Sequence, residues 1–209
     1  MESVWKAADR DPDCDAYVVP IPYFDKDKEG NLAVEHYEGD QYPSDVPVTD
    51  YREFRLEEKK PDAVFIHNPY DQNNRLTSVH PDFYSGRLRK YTDQLIYLPY
   101  YTTADTGNVE SVKRQRISSG FVIEPGVLNS DCLVAATDQE RELFINILCS
   151  QIKNVPVQQW EEKVQNLGSP KIERIRNTER QDEFLPEKWR ICLYGSDGTR
   201  KKTVFYSLS

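Results

Sequence analysis

Short β-branched apolar runs recur along this chain between segments of helical period, and no other feature restricts its fold as much. Asp15-Ala-Tyr-Val-Val-Pro20, Asp62-Ala-Val-Phe-Ile-His67, Gln94-Leu-Ile-Tyr-Leu-Pro99 and Asp131-Cys-Leu-Val-Ala-Ala136 are each too short for a helix and long enough for a buried strand. They predict strands near 15–20, 62–67, 94–98 and 131–135, with a short fifth over 164–168. Between them lie helical signals. Thr137-Asp-Gln-Glu140 has the form of a capping box, in which a threonine oxygen and a glutamate carboxylate satisfy the free amides of a helix start. Behind it Leu143, Phe144, Ile147 and Leu148 fall on one stripe of a helix over 138–149. Strands alternating with helices call for a parallel sheet with helices on both faces, an α/β, doubly wound, Rossmann-like arrangement.

The remaining segments read as connections. Ser3 to Ala8 reads as a helix tail, Leu56 to Lys60 as a helical turn, and 82–90 as a short helix with His80-Pro81 at its start. Ile21 to Thr49 has no sustained period and reads as a long loop, packed through Tyr23, Tyr37 and Tyr42. Residues 1–177 therefore form one domain, 178–200 a polar linker, and 201–209 a strand that begins something further. On this reading the domain lacks its own first strand, and the 201–209 strand is expected to dock on an open sheet edge.

Charge narrows the partners. The net charge is −8, and residues 1–62 alone carry 17 acids against 8 bases. That balance disfavours nucleic acid, which is bound mainly by neutralising phosphates. Basic groups gather at Lys113, Arg114 and Arg116 and again at Lys171, Arg174 and Arg176, either as solvated faces or as holders of an anion. The four cysteines lie far apart and only three histidines are present, so no zinc spacing exists and reduced cytoplasmic thiols are expected. No cofactor is expected. GxGxxG, GxxxxGK[ST] and GxSxG are all absent, which argues against simple NAD enzymes, nucleotide hydrolases and serine hydrolases.

Chemistry-bearing residues collect after the strands. Three Pro-Tyr turns, Pro22-Tyr23, Pro69-Tyr70 and Pro99-Tyr100, would give a rigid backbone, aromatic walls for a sugar or polyol, and hydroxyls. Alternatively, proline merely stops each strand and tyrosine caps the core. The densest polar stretch, His67-Asn68-Pro69-Tyr70-Asp71, runs on to His80. A histidine at a strand end can act as a general base near neutral pH, or be a satisfied structural group. Gly168-Ser169-Pro170-Lys171 opens a helix, where an anion is favoured.

At DPDCDAYVVPIPYFDK, HYEGDQYP, PDAVFIHNPYDQNNRLTSVHPDFYS, LIYLPYY and LGSPKIERI the sequence resembles one branch of the bacterial CDP-glycerol glycerophosphotransferase family. It departs from the family's histidine-glycine motif, having His67-Asn68-Pro69 there. The resemblance implies the acceptor-side, N-terminal half of a two-domain GT-B-like transferase. Such an enzyme passes glycerol phosphate from CDP-glycerol to a polyol-phosphate or glycan acceptor in teichoic-acid-like polymer synthesis. It works in the cytoplasm, peripheral to the inner membrane face. The implied catalytic residues are His67 and His80. The implied substrate-binding residues are Tyr23, Asn68, Tyr70, Asp71, Tyr100, Gly168, Ser169 and Lys171. The donor site would lie mostly in a second half, supplied by another polypeptide if the enzyme is split. A non-catalytic sugar- or polyol-phosphate binding module and an inactive remnant are the alternatives.

Overall fold

The computed structural model describes residues 1–100 and 120–177. Met1–Ile172 forms one compact unit, and Glu173–Asn177 belong to a second. The 178–200 linker, the 201–209 strand, Cys192 and the Lys113–Arg116 cluster lie outside the described residues.

Helix α1 (Glu2–Asp9) opens the chain and is followed by strands β1 (Tyr23–Lys26) and β2 (Leu32–His36). Helix α2 (Leu56–Lys59) leads into β3 (Ala63–Ile66), then β4 (Thr77–Val79), a 3-10 turn (Pro81–Phe83) and α3 (Ser85–Leu88). Strand β5 (Gln94–Tyr97), α4 (Pro125–Asn129), β6 (Cys132–Ala135), α5 (Asp138–Gln151), α6 (Val157–Lys163), β7 (Val164–Asn166) and α7 (Pro170–Asn177) complete the order.

The four strands β3-β5-β6-β7 form one sheet in which every pairing is parallel. The protein is thus a mixed α/β molecule built on a parallel sheet. Ile66, Tyr97, Leu133 and Val164 stand side by side in register and all are buried. The stripe of Leu143, Phe144, Ile147 and Leu148 is buried with them in one core cluster. Its helix is capped as the sequence predicts. Thr137 Oγ1 accepts from Glu140 N–H at 3.1 Å, although the Glu140 carboxylate reaches Ala136 N rather than the cap's own amide.

The strands are neighbours in the order in which they occur. The row one residue back, Phe65, Ile96 and Cys132, points to the other face. There Phe65 is 40 % exposed and the other two are half-buried.

Three expectations change. The run 15–20 is not a strand of this sheet: Val18 makes only an isolated parallel bridge to Val48. Its apolar stretch is interrupted by Pro20 and Pro22, which supply no amide donors. The connection 21–49 holds a hairpin, β1 against β2, that joins β4 in an antiparallel sheet ordered β2-β1-β4. Asp27 makes its turn by accepting from the Glu29 and Asn31 amides, with Gly30 at φ 86°. The helix over 82–90 breaks into the 3-10 turn and the single turn of α3.

The loop after β3 meets α4 at a close backbone contact. Gly126 N–H donates to Pro69 O at 2.7 Å, and a Cβ on Gly126 would stand 2.6 Å from Pro69 Cα. Gly126→Ala should therefore cost about 1–3 kcal/mol by overpacking. Gly86→Ala, whose Cβ would meet only a side-chain amide at 3.4 Å, should cost clearly less. Denaturant unfolding of the two variants checks this.

Candidate functional site at the carboxyl edge of the parallel sheet

Parallel strands deliver their carboxyl ends to one edge, where open α/β sheets bind ligands. Here the segments leaving that edge are His67-Asn68-Pro69-Tyr70 after β3, Leu98-Pro99-Tyr100 after β5, Ala136-Thr137 after β6 and Leu167-Gly168-Ser169 after β7. A shallow recess lies among the last three of these segments, lined by Leu98, Pro99, Ala136, Glu140, Gly168 and Ser169. Gly168 takes φ 85° and donates its N–H to Ala135 O at 3.2 Å, which folds the chain back over the end of β6. Ser169 Oγ then accepts from Ile172 N–H at 3.4 Å and caps α7.

His67 and Tyr100 belong together. Their rings meet edge to face, with centroids 6.4 Å apart and planes at 90°. His67 keeps an exposed edge, but the groups packed around it, and then the Met1 ammonium, push its pKa below the usual histidine value. The shift favours the neutral ring, the state a general base requires. Tyr100 is half exposed beside it.

The polar stretch behind His67 is mostly used by the fold. Asn68 Oδ1 accepts from Tyr70 N–H at 2.9 Å, and the Tyr70 ring packs on Phe121. Asp71 is buried at a left-handed φ of 46°. Its Oδ2 accepts from Ser85 N–H at 2.9 Å and from Ser85 Oγ–H at 2.6 Å, and Asn129 Nδ2 donates to that same Oγ at 2.8 Å. Burial raises the Asp71 pKa, against the pull of the Ser85 bonds. Lys26 Nζ donates to the backbone carbonyls of Gln72 and Asn74, and Asn73 Nδ2 to Glu124 at 3.0 Å.

Tyr23 and His80 lie on the antiparallel sheet instead. Tyr23 stacks on His36 at 4.9 Å and its hydroxyl donates to Glu38, while His36 Nε2 lies 2.8 Å from Asp25 Oδ2. His80 sits among the rings of Phe24, Tyr51 and Phe83, and its Nδ1 accepts from Asp82 N–H at 3.2 Å. Tyr23 and Phe24 are successive strand residues and point to opposite faces. The structure therefore separates Tyr23 from His80 and brings together His67 with Tyr100 and Gly168 with Ser169. Lys171 is exposed on α7. Sequence reasoning missed Glu140 as a lining group. The capping box marked it, but its place in the recess depends on the β5–β6–β7 neighbourhood.

No family model, no curated protein and no solved structure matches the chain. Among the described residues no three His, Cys, Asp or Glu side chains gather as a metal site, and no helix is long and apolar enough to cross a membrane.

Two measurements follow from the electrostatics. Asp71→Asn keeps an acceptor for both Ser85 donors, suits the left-handed φ and removes a buried charge, so stability should hold or rise. Asp71→Ala leaves both Ser85 donors, its N–H and its Oγ–H, short of a partner and should lose about 1–3 kcal/mol. For His67, a lowered folded pKa means that the unfolded chain binds the proton first. Stability should fall as pH drops through the unfolded value of about 6.5 and level off below the folded one. His67→Asn should flatten that part of the stability–pH curve, as read by denaturant titrations.

Proposed function

We propose that this chain is the acceptor-binding domain of a glycerophosphotransferase-like enzyme, taking a polyol-phosphate or glycan acceptor at the carboxyl edge of its parallel sheet. The observation that supports it best is His67, kept neutral at the end of β3 with the exposed Tyr100 ring set edge-on to it. In the full reaction an acceptor hydroxyl attacks the glycerol-bearing phosphorus of CDP-glycerol in line. The bond to the bridging oxygen breaks, CMP leaves, and the hydroxyl proton passes to His67. In this reading the sheet belongs to the N-terminal half of a doubly wound GT-B-like pair, and the donor is held by residues outside Met1–Ile172. The enzyme would work in the cytoplasm, peripheral to the membrane, in the synthesis of a teichoic-acid-like polymer.

One observation favours a second reading, a non-catalytic polyol-phosphate binding module. Asn68 and Asp71 are spent on turns and buried bonds, and His80 is enclosed by three rings. Few polar groups are left to organise a transition state.

Titration calorimetry with a short poly(glycerol phosphate) tests the shared core of both readings. The chain should bind it, and Tyr100→Ala should weaken binding about five- to tenfold, the worth of one aromatic contact. If the donor is held on a separate polypeptide, this chain alone should release no CMP from CDP-glycerol. Absence of acceptor binding overturns both readings. CMP release by the chain alone, abolished in His67→Ala, overturns the assignment of the donor site to other residues.

A further inference from the structure

Strand β3 forms one margin of the parallel sheet, with β5 on one side and, among the described residues, no strand on the other. Gln94 N–H donates to Asp62 O at 2.9 Å and Leu98 N–H donates to Ile66 O at 2.8 Å. The even-numbered residues thus turn their backbone groups toward β5. Successive strand residues turn theirs to opposite sides, so the amides and carbonyls of Ala63, Phe65 and His67 face outward. All three residues are exposed.

Open edges are ordinarily blunted by a lysine, a proline, a bulge or a very short strand. The other margins here are treated in that way. Strand β7 has only three residues, and β2 carries a register shift against Phe24–Lys26. Strand β3 has none of these devices. It reads Ala63-Val-Phe-Ile66 and pairs with β5 residue for residue. On the face away from the core its Phe65 ring stands exposed beside the half-buried Ile96.

The sequence of this edge fits itself. Let two copies of β3 run antiparallel about a two-fold axis at Phe65. Phe65 then faces Phe65 of the partner subunit, Ala63 faces His67, Val64 faces Ile66, and Asp62 faces Asn68. The outward backbone groups at 63, 65 and 67 all meet counterparts, and no charge stands opposite a like charge. Pro61 and Pro69, each four residues from Phe65, also fall opposite one another and end the ladder on both sides, since neither has an amide to donate. With the axis moved to Val64 or to Ile66, an outward carbonyl would face a proline and find no donor.

We propose that β3 is the interface between two copies of this chain, which join edge to edge into one continuous sheet. The two Phe65 rings lie on the same face and cover each other across the axis, on Cα atoms about 5.5 Å apart. The pairing also ties down the backbone of His67 against Ala63 of the partner subunit. Because the paired strands are antiparallel, the two candidate sites open at opposite edges of the joined sheet.

The test is sedimentation of the full chain over a concentration series, with a dimer expected. Phe65→Lys and Phe65→Glu each set like charges across the axis and should weaken the dimer about tenfold or more. Mixed in equal amounts, the two variants should restore it, because lysine meets glutamate there only if residue 65 faces itself. Phe65→Cys is the milder variant. Gentle oxidation should link two copies through residue 65, as read by peptide mass spectrometry, and if the charge variants fail to fold this linkage decides alone. Four results overturn the proposal. They are a wild-type chain that stays monomeric at high micromolar concentration, a dimer indifferent to Phe65→Lys, a mixture of folded charge variants that stays monomeric, and no linkage at residue 65.

Discussion

The carboxylate of Asp71 joins the parts of the molecule to one another. It sits five residues past β3, is nearly sealed from solvent, and receives both donors of Ser85 at the start of α3. Through Ser85 Oγ it reaches Asn129 at the end of α4, and its backbone carbonyl accepts from Ser78 Oγ in β4 at 3.4 Å. A buried carboxylate without such partners would cost several kcal/mol, so the loop has little freedom to leave this position. One residue thus ties the parallel sheet, the short helices on it and the antiparallel sheet together.

The candidate site inherits its shape from that anchor. With Asp71 fixed, Pro69 is buried against Gly126 and Asn68 is folded over the Tyr70 amide. Of the dense polar stretch, His67 is left as the group at the carboxyl edge that keeps an exposed face toward Tyr100. The same economy explains His80. Its ring completes an aromatic cluster with Phe24, Tyr51 and Phe83, and its Nδ1 caps the 3-10 turn. In that position its chemistry is committed to packing.

The elements legible in the sequence are those whose apolar residues meet one buried surface. Leu95 and Tyr97, Leu133 and Ala135, and the α5 stripe all announce themselves because each is nearly sealed within one core. The β1–β2 hairpin gives no such signal. Leu32 and Val34 are exposed, Asp25 and Glu35 interrupt any alternation, and its pairing depends on an Asp27 turn that propensity alone does not fix. The run at 15–20 misleads for the opposite reason: Tyr17-Val18-Val19 looks like a strand, but prolines at 20 and 22 leave too few donors for a ladder. Within the site, strand ends could be read one by one. Which ends are neighbours is set by pairings distant in sequence, so Glu140 and the division between Tyr23 and His80 were hidden.

Glu140 bears on how an acceptor would lie under the proposed reading. Two helices, α5 and α7, begin at the recess, and a helix start ordinarily attracts an anion. At α5 that place is already filled: the Glu140 carboxylate accepts the Ala136 amide at 2.5 Å and is itself almost wholly buried. A phosphate pushed in beside it would meet a like charge in a poorly solvated corner, where repulsion is strong. Hydroxyl groups meet no such penalty, because a carboxylate accepts from them. A polyol phosphate would therefore place its hydroxyls toward Glu140. Its phosphate would lie toward the α7 start, where Gly168 turns the backbone and Ser169 caps the helix. That orientation leaves Leu98 and Pro99, on the remaining side of the recess, for the carbon chain.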